Sequence, residues 1–377
     1  MTQVPQPAVP ALSRGVGPLD PPFSDVRRIA VLRGGGLGDL MFALPAIEAL
    51  AAAYPAASIT LLGTALHAAL LTGRPGPVQR VEILPSAPGI AAGAADPGAV
   101  ESFVTRMRQQ HFDLAVQVHG GGRNSNPFLL ALGARHTVGT RTPDAAALER
   151  SIPYVYYQHE VFRALEVAGL AGAAPVSLEA QLPVPADEAR RARSLLPADR
   201  PLLALHPGAT DPRRRWPASS FAEIAVRAAG RGCQVVVVGD EADRALAGEV
   251  VELALAEAGP LAPIRSLAGE LDIGTLAGVL QASAVMVGND SGPRHLAQAV
   301  GTATVGVYWF GNVINAGAIG RTRHRVHMSW VSACPVCKAD VTQVGWTAER
   351  CEHDDSFVAE VRAADVWNDV EELLAAA

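Results

Sequence analysis

Three polar runs each follow an apolar β-run, and each carries side chains able to act on an anion or a hydroxyl. The first, Gly34-Gly35-Gly36-Leu37-Gly38-Asp39, follows Ile29–Leu32. It offers one carboxylate beside a tight turn. Taken alone, the segment reads most simply as a helix-capping Asp; the other reading is a general base at the mouth of a cleft. The run lacks the third glycine of a dinucleotide fingerprint and sets a carboxylate where a pyrophosphate would approach. The second run extends from His206 to Pro217 after Leu202–Leu205 and contains Arg213, Arg214 and Arg215. Consecutive arginines ahead of a helix can clamp phosphate or form a solvated basic loop; a position at a strand end favours the clamp. The third run, Asn289 to His295, follows Val285–Gly288. Ser291, Gly292 and Pro293 open a helix whose positive end can cradle a phosphate, and His295 lies one turn in.

A fourth cluster stands apart near the end of the chain: Cys334-Pro335-Val336-Cys337, then Cys351-Glu352-His353. C-x-x-C followed by C-x-H supplies four potential zinc ligands. Reduced packing thiols, or a local disulfide formed on purification, are the alternatives.

Such sites need rigid elements behind them, and the hydrophobic pattern provides candidates. Leu40, Leu44, Ile47 and Leu50 recur at helical spacing after Asp39, with Pro45 as the point where that helix begins or bends. Apolar runs at 58–62, 81–84 and 114–118 read as strands, alternating with helices near 65–71 and before Gln110. A polar, Pro-spaced stretch with a short Arg-rich helix at 187–196 follows. The same grammar then restarts: strands at 202–205, 233–238, 285–288 and 303–307, and helices at 218–229, 242–256, 273–282 and 293–300. This alternation predicts an α/β fold with mainly parallel sheets covered on both faces. Two such halves predict paired Rossmann-like domains facing a cleft, with sites beyond the carboxyl ends of the strands. The expected division is a flexible tail at 1–25, a first domain at 26–180, a linker at 181–200, a second domain at 201–354, and a final helix within 355–377 packing back across the hinge.

The chain has 377 residues, of which 49% are hydrophobic and 18% charged, a balance that excludes disorder throughout. A net charge of −6 argues against a general nucleic-acid binder. Four cysteines are too few for a secreted disulfide scaffold. The start has no basic segment followed by an apolar one, as a secretory signal would, and no apolar run reaches the ~18–20 residues that span a bilayer. A cytoplasmic protein is the expectation.

Together the runs resemble glycosyltransferase family 9, the lipopolysaccharide heptosyltransferases. The matching pieces are R-G-G-G-L-G-D-L-M-F-A-L-P (Arg33 to Pro45), H-P-G-A with R-R-W-P (His206 to Pro217), V-V-V-V-G-D-E (Val235 to Glu241), S-L-A-G (Ser266 to Gly269) and N-D-S-G-P-R-H (Asn289 to His295). The resemblance implies a GT-B fold, with the acceptor on the first domain and a nucleotide-sugar donor on the second. It implies Asp39 as catalytic base and Ser291, Gly292 and His295 around the donor diphosphate. Arg214 stands where the best-known members carry a lysine on that phosphate. Glu241, with Asp240 as competitor, falls at the ribose; His206 and Asp290 go with the nucleotide, and Gly36, Gly38 and Arg123 with the acceptor-side loop. Two departures stand out. The stretch after the fifth donor-domain strand reads Y-W-F-G-N-V-I-N-A-G (Tyr308 to Gly317) instead of G-P-T-x-P. The serines often found before G-D are replaced by Gly35 and Gly36.

The implied activity is inverting, metal-independent transfer of a heptose-like or other hexose-type sugar from a nucleotide-diphosphate donor, an ADP-sugar by resemblance. The acceptor would be a hydroxyl of a saccharide or lipid-linked saccharide, as in cell-envelope glycan synthesis. No cofactor is required, although a structural zinc would fit the cysteines. A nucleotide-sugar epimerase, or a non-catalytic binding protein of the same fold, is the alternative. Lipid-linked acceptors in the family imply peripheral contact with the inner face of the cytoplasmic membrane, for which Gly120 to Phe128 and Tyr154 to Tyr157 are the candidate segments.

Overall fold

Ile29, Val31 and Leu32 are fully buried, an apolar run on both faces of the chain, and such a strand belongs in the middle of a covered parallel sheet. The computed structural model describes residues 16–17, 19–196, 200–342 and 349–376. Arg28–Leu32 (β1), Ser58–Gly63 (β2), Val78–Ile83 (β3), Leu114–Gln117 (β4), His136–Arg141 (β5) and Arg150–Pro153 (β6) form one parallel sheet. Its order is β3-β2-β1-β4-β5-β6. Leu202–His206 (β7), Gln234–Val237 (β8), Ile264–Ser266 (β9), Val285–Asn289 (β10), Ala303–Trp309 (β11) and His324–Ser329 (β12) form the second. Its order, β9-β8-β7-β10-β11-β12, repeats the first. Both are Rossmann sheets, and the pair makes the GT-B architecture.

The covering helices of the first half are Leu37–Ala53 (α1), Ala65–Leu71 (α2), Pro97–Arg108 (α3), Ser125–Ala131 (α4) and Glu160–Leu170 (α5). Ala186–Ser194 (α6) lies on the crossing. Ala218–Gly230 (α7), Arg244–Ala258 (α8), Ile273–Ala282 (α9), Gly292–Ala299 (α10), Phe310–Ala316 (α11) and Ala363–Ala375 (α12) belong to the second half. In each sheet the chain reverses direction beside the first strand, so the switch points lie at β1/β4 and β7/β10, where ligands bind in such folds. Register makes this concrete: Leu32 pairs with Gln117, and His206 with Gly288. The Gly34 turn therefore leaves the sheet beside His119, and the arginine loop beside Asp290. The halves meet through α1 against α10 and α2 against α9.

The structure differs from the sequence reading in three places. Pro45 neither starts nor ends α1, which runs from Leu37 straight through it. Of the expected tail, residues 1–15 and 18 lie outside the described residues, but 19–25 are packed down. Phe23 is buried, its N–H bonds Tyr54 Oη at 3.0 Å, and its ring stacks on His136 at 4.1 Å. The last helix starts at Ala363, not near Ser356. It does not cross to the first half: Val366, Trp367, Val370 and Leu373 join the second-half core against α7, where Phe221 already offers an apolar face. The crossing stretch itself is pinned, because Arg74 Nη2 holds both oxygens of Glu188 at 2.8 and 2.7 Å.

Candidate active site

The glycine turn and α1 form a single device. Gly36 is the N-cap of α1, and Asp39 Oδ2 accepts its N–H at 2.8 Å. Gly35 sits at φ 87°, and a Cβ there would fall 2.4 Å from the same oxygen. The capping reading of Asp39 is thus literal, and the cap is also what aims the carboxylate. Oδ1 takes a 2.5 Å ion pair from Arg33 Nη2, yet the side chain stays 46% exposed. Each carboxylate oxygen keeps a further lone pair.

Arg33 was not singled out by the sequence, and it organises this corner. Its guanidinium is buried, donates to Val118 O, and meets Glu160 Oε2 at 3.2 Å. Burial pulls its pKa down, but Asp39 and Glu160 more than offset this, and it stays charged. Glu160 also pairs with Arg163, whose guanidinium lies over the Tyr154 ring at 4.4 Å. His119 Nδ1 accepts the Gly34 N–H at 3.2 Å and Nε2 faces Gly89 O at 3.0 Å. That pattern is a neutral imidazole donating from Nε2, and burial followed by Arg33 lowers its pKa in agreement. Next to it opens a cleft of about 510 Å³ lined by Gly89, His119, Gly121, Arg123, Thr142 and Tyr154.

The second half gathers polar and cationic side chains at two strand ends, which would form the expected phosphate cradle. Asn289 is buried; its Oδ1 accepts the Trp216 N–H at 3.0 Å and its Nδ2 donates to Pro207 O at 2.7 Å. It thereby ties the arginine loop to β10. Only one of the three arginines faces the cradle: Arg214 Nη1 reaches Asp290 Oδ2 at 3.3 Å. Arg213 is turned onto Asp211 at 2.6 Å, and Arg215 Nε donates to Ala209 O at 2.9 Å. The three side chains therefore do not converge into one clamp, because successive side chains of a tight turn diverge.

Ser291 caps no backbone N–H of α10; its hydroxyl lies 2.9 Å from His206 Nδ1, and His206 Nε2 lies 3.2 Å from Asp243 Oδ2. Asp243 is a residue the sequence reading missed, since nothing local marks it. Asp240 caps the turn beside it, accepting the Ala242 N–H at 2.9 Å. Glu241 is exposed, paired with Arg244 at 2.7 Å near Gly269, and that pairing holds its carboxyl below the ordinary range.

Two further expectations change. Asp290 is not open to a nucleotide: it is 7% exposed and held by His295, Arg214 and Asn312. Burial would raise its pKa, but the His295 hydrogen bond and the neighbouring charges leave it lowered. His295 is not a cation. Burial and then Arg294 push it down to about 4, so Nε2–H donates to Asp290 at 3.1 Å while Arg294 Nη2 donates to Nδ1 at 2.7 Å. Phe42 of α1 meets the same ring edge-on at 4.5 Å.

The two corners adjoin. A Cβ on Gly292 would lie 2.8 Å from Leu37 Cβ, and one on Gly38 would lie 3.1 Å from His295 Cδ2. Gly38 therefore belongs to the junction of the halves, whereas Gly36 is exposed. Arg123 is exposed in the neighbouring cleft, 3.5 Å from Asp144. Phe128 is buried against Phe103, and the Tyr157 hydroxyl donates to Thr342 O. These two aromatics are committed to packing and to the contact between halves, so neither is available to a lipid surface. Among the described residues no helix is long and apolar enough to cross a membrane.

The buried neutral histidines predict a pH dependence of stability. His324 is likewise held at about 4 by burial and then by Arg294. A histidine whose folded pKa lies below its unfolded value stabilises fully above ~6.5, and that stability drains as the pH falls towards 4, by up to ~3 kcal/mol each. The melting temperature is expected to drop clearly between pH 7.5 and pH 5. Equal values at the two pH points would contradict neutral burial.

The profile of glycosyltransferase family 9 (heptosyltransferase) matches residues 100–337. Lipopolysaccharide heptosyltransferase 2 of Salmonella typhimurium is 28% identical over 295 residues, covering 74% of this chain and 82% of that protein. Its Escherichia coli counterpart is 26% identical over the same length, with the same coverage. Among solved structures, the E. coli ADP-heptose lipopolysaccharide heptosyltransferase II superposes with TM-score 0.72 at 21% identity, over 93% of this chain and 99% of that one. A family 9 glycosyltransferase from Veillonella parvula superposes with TM-score 0.73 at 18% identity, over 93% and 98%.

Proposed function

The chain belongs to glycosyltransferase family 9, and from that membership we propose that it transfers a sugar, with inversion, from a nucleotide diphosphate to an acceptor hydroxyl. The carrying observation is that Asp39 stands in the first turn of α1, whose Leu37 and Gly38 lie against Gly292 and His295 of α10, while Arg214 reaches Asp290 just ahead of that helix. Asp39 removes the acceptor proton as the oxygen attacks the anomeric carbon from the side opposite the leaving diphosphate. That single displacement inverts the centre. Arg214 and the N–H groups opening α10 receive the charge on the leaving group, so the reaction proceeds without a metal at the phosphates. His295, neutral, contributes through its hydrogen bond to Asp290 and not through charge. Ser291 is the hydroxyl on the diphosphate, oriented by His206 and Asp243, and Glu241 lies outward towards the ribose.

An ADP-sugar is the favoured donor, after the ADP-heptose named for the E. coli enzyme of the same fold. The acceptor is a saccharide or lipid-linked saccharide of the cell envelope, entering through the cleft beside His119 and Arg123. The work is cytoplasmic; contact with the membrane face falls to Arg123, the exposed cation of the first candidate segment, and Val155, the exposed apolar residue of the second. Thermal shift with ADP-, GDP- and UDP-sugars tests the reading, because a ligand at 100 times its Kd adds ~2.7 kcal/mol. The expected result is stabilisation by one nucleotide class, and nucleotide release only when acceptor is added. Isomer formation without nucleotide release would make it an epimerase, and stabilisation by no nucleotide-sugar would overturn the donor site.

A further inference from the structure

In the stretch between β12 and α12, Val358 joins the second-half core, but the described residues around Cys334 form a separate cluster with Val341 and Phe357, too small for a core of its own. Yet Cys334, Cys337, Cys351 and His353 converge, with one ligand atom from each lying within 4.8 Å of the others. The Cys334–Cys337 segment is shaped for this. Lys338, at φ 64°, donates its N–H to Cys334 O at 3.0 Å, and Cys334 N–H returns to Ala339 O at 2.8 Å. That tight turn swings both sulfurs to one side. His353 Nδ1 is buried with no hydrogen-bond partner, which is costly for a polar atom unless something else takes its lone pair or proton.

We propose that these four residues form a structural zinc site, Cys3His, distinct from the phosphate cradle and not part of the chemistry. Three thiolates and one imidazole are a closed tetrahedral set for zinc, with no open position for water or substrate. On binding, the three thiols lose their protons to solvent, leaving a centre of net charge −1. Its role follows from what the stretch touches. Phe357 N–H donates to Arg213 O at 2.7 Å, Ser356 Oγ donates to Arg215 O at 2.6 Å, and the Arg213 guanidinium lies 5.2 Å from the centre of the Phe357 ring. The stretch therefore backs both neighbours of Arg214, and the metal fixes the loop that presents Arg214 to the donor.

Metal analysis of the full-length protein, grown with zinc and purified without chelator or tag-affinity metal, decides the matter. The expected content is one zinc per chain, released by a mercurial that titrates the thiols and lost in Cys337→Ser and Cys351→Ser. Zinc removal from the unmodified protein, which avoids dependence on variants that fail to fold, should weaken ADP binding about tenfold, and zinc but not magnesium should restore it. Less than 0.1 equivalent of metal, a disulfide among these cysteines, or iron in place of zinc would overturn the assignment. Zinc content is read without nucleotide, so a wrong donor assignment and a wrong metal assignment fail separately.

Discussion

Asp39→Asn is expected to lower kcat by ~10²–10⁴ while leaving the affinity for a nucleotide-diphosphate donor nearly unchanged. The substitution keeps the shape of the side chain and its acceptor for the Gly36 N–H, so α1 should remain capped. What it removes is the negative oxygen facing Arg33 and the basic lone pair that would take the acceptor proton. A purely capping carboxylate would behave differently, with a small loss of stability and turnover within about tenfold of the parent. Steady-state kinetics with a true acceptor, alongside calorimetric titration of the donor nucleotide, separates the two. A kcat reduced less than tenfold would move the base elsewhere.

Arg214→Ala is expected to weaken binding of the nucleotide diphosphate by ~1.5–3 kcal/mol, the range for hydrogen bonds to charged groups, or about 10- to 150-fold. Arg214 is the one arginine of the run aimed at the cradle, and its side chain is still 29% exposed beside a 7% exposed Asp290. Arg213→Ala gives a contrast, because that side chain is spent on Asp211 and Phe357. It should reduce the melting temperature more than it reduces affinity. Equal affinities for the parent and the Arg214 variant in a calorimetric titration would remove Arg214 from the donor site.

The sequence by itself determined the parts that depend on local period and on chain direction. Apolar runs such as Ile29–Leu32 and Val235–Val238, alternating with helical stretches, read as covered parallel strands, and parallel strands put their carboxyl ends at one edge of a sheet. The G-G-G-L-G-D and N-D-S-G-P-R-H turns, legible as short strings, therefore had to lie at carboxyl strand ends. The capping reading of Asp39 was legible too, and the structure shows that cap. Tertiary structure alone decided which of those polar groups are charged, open or spent. Arg33 meets Glu160 across 127 positions of chain, and His206 meets Asp243 across 37. Nothing in either segment announces its partner. Arg214 is distinguished from Arg213 and Arg215 only by what each side chain meets after the loop closes on Asn289 and on the stretch at Phe357. His295 reads as a phosphate ligand until α1 and Phe42 cover it, and it is then a neutral group held at about 4. The reason is common to all of these. Burial and pairing set protonation and reach, and both are properties of neighbours brought in from distant sequence.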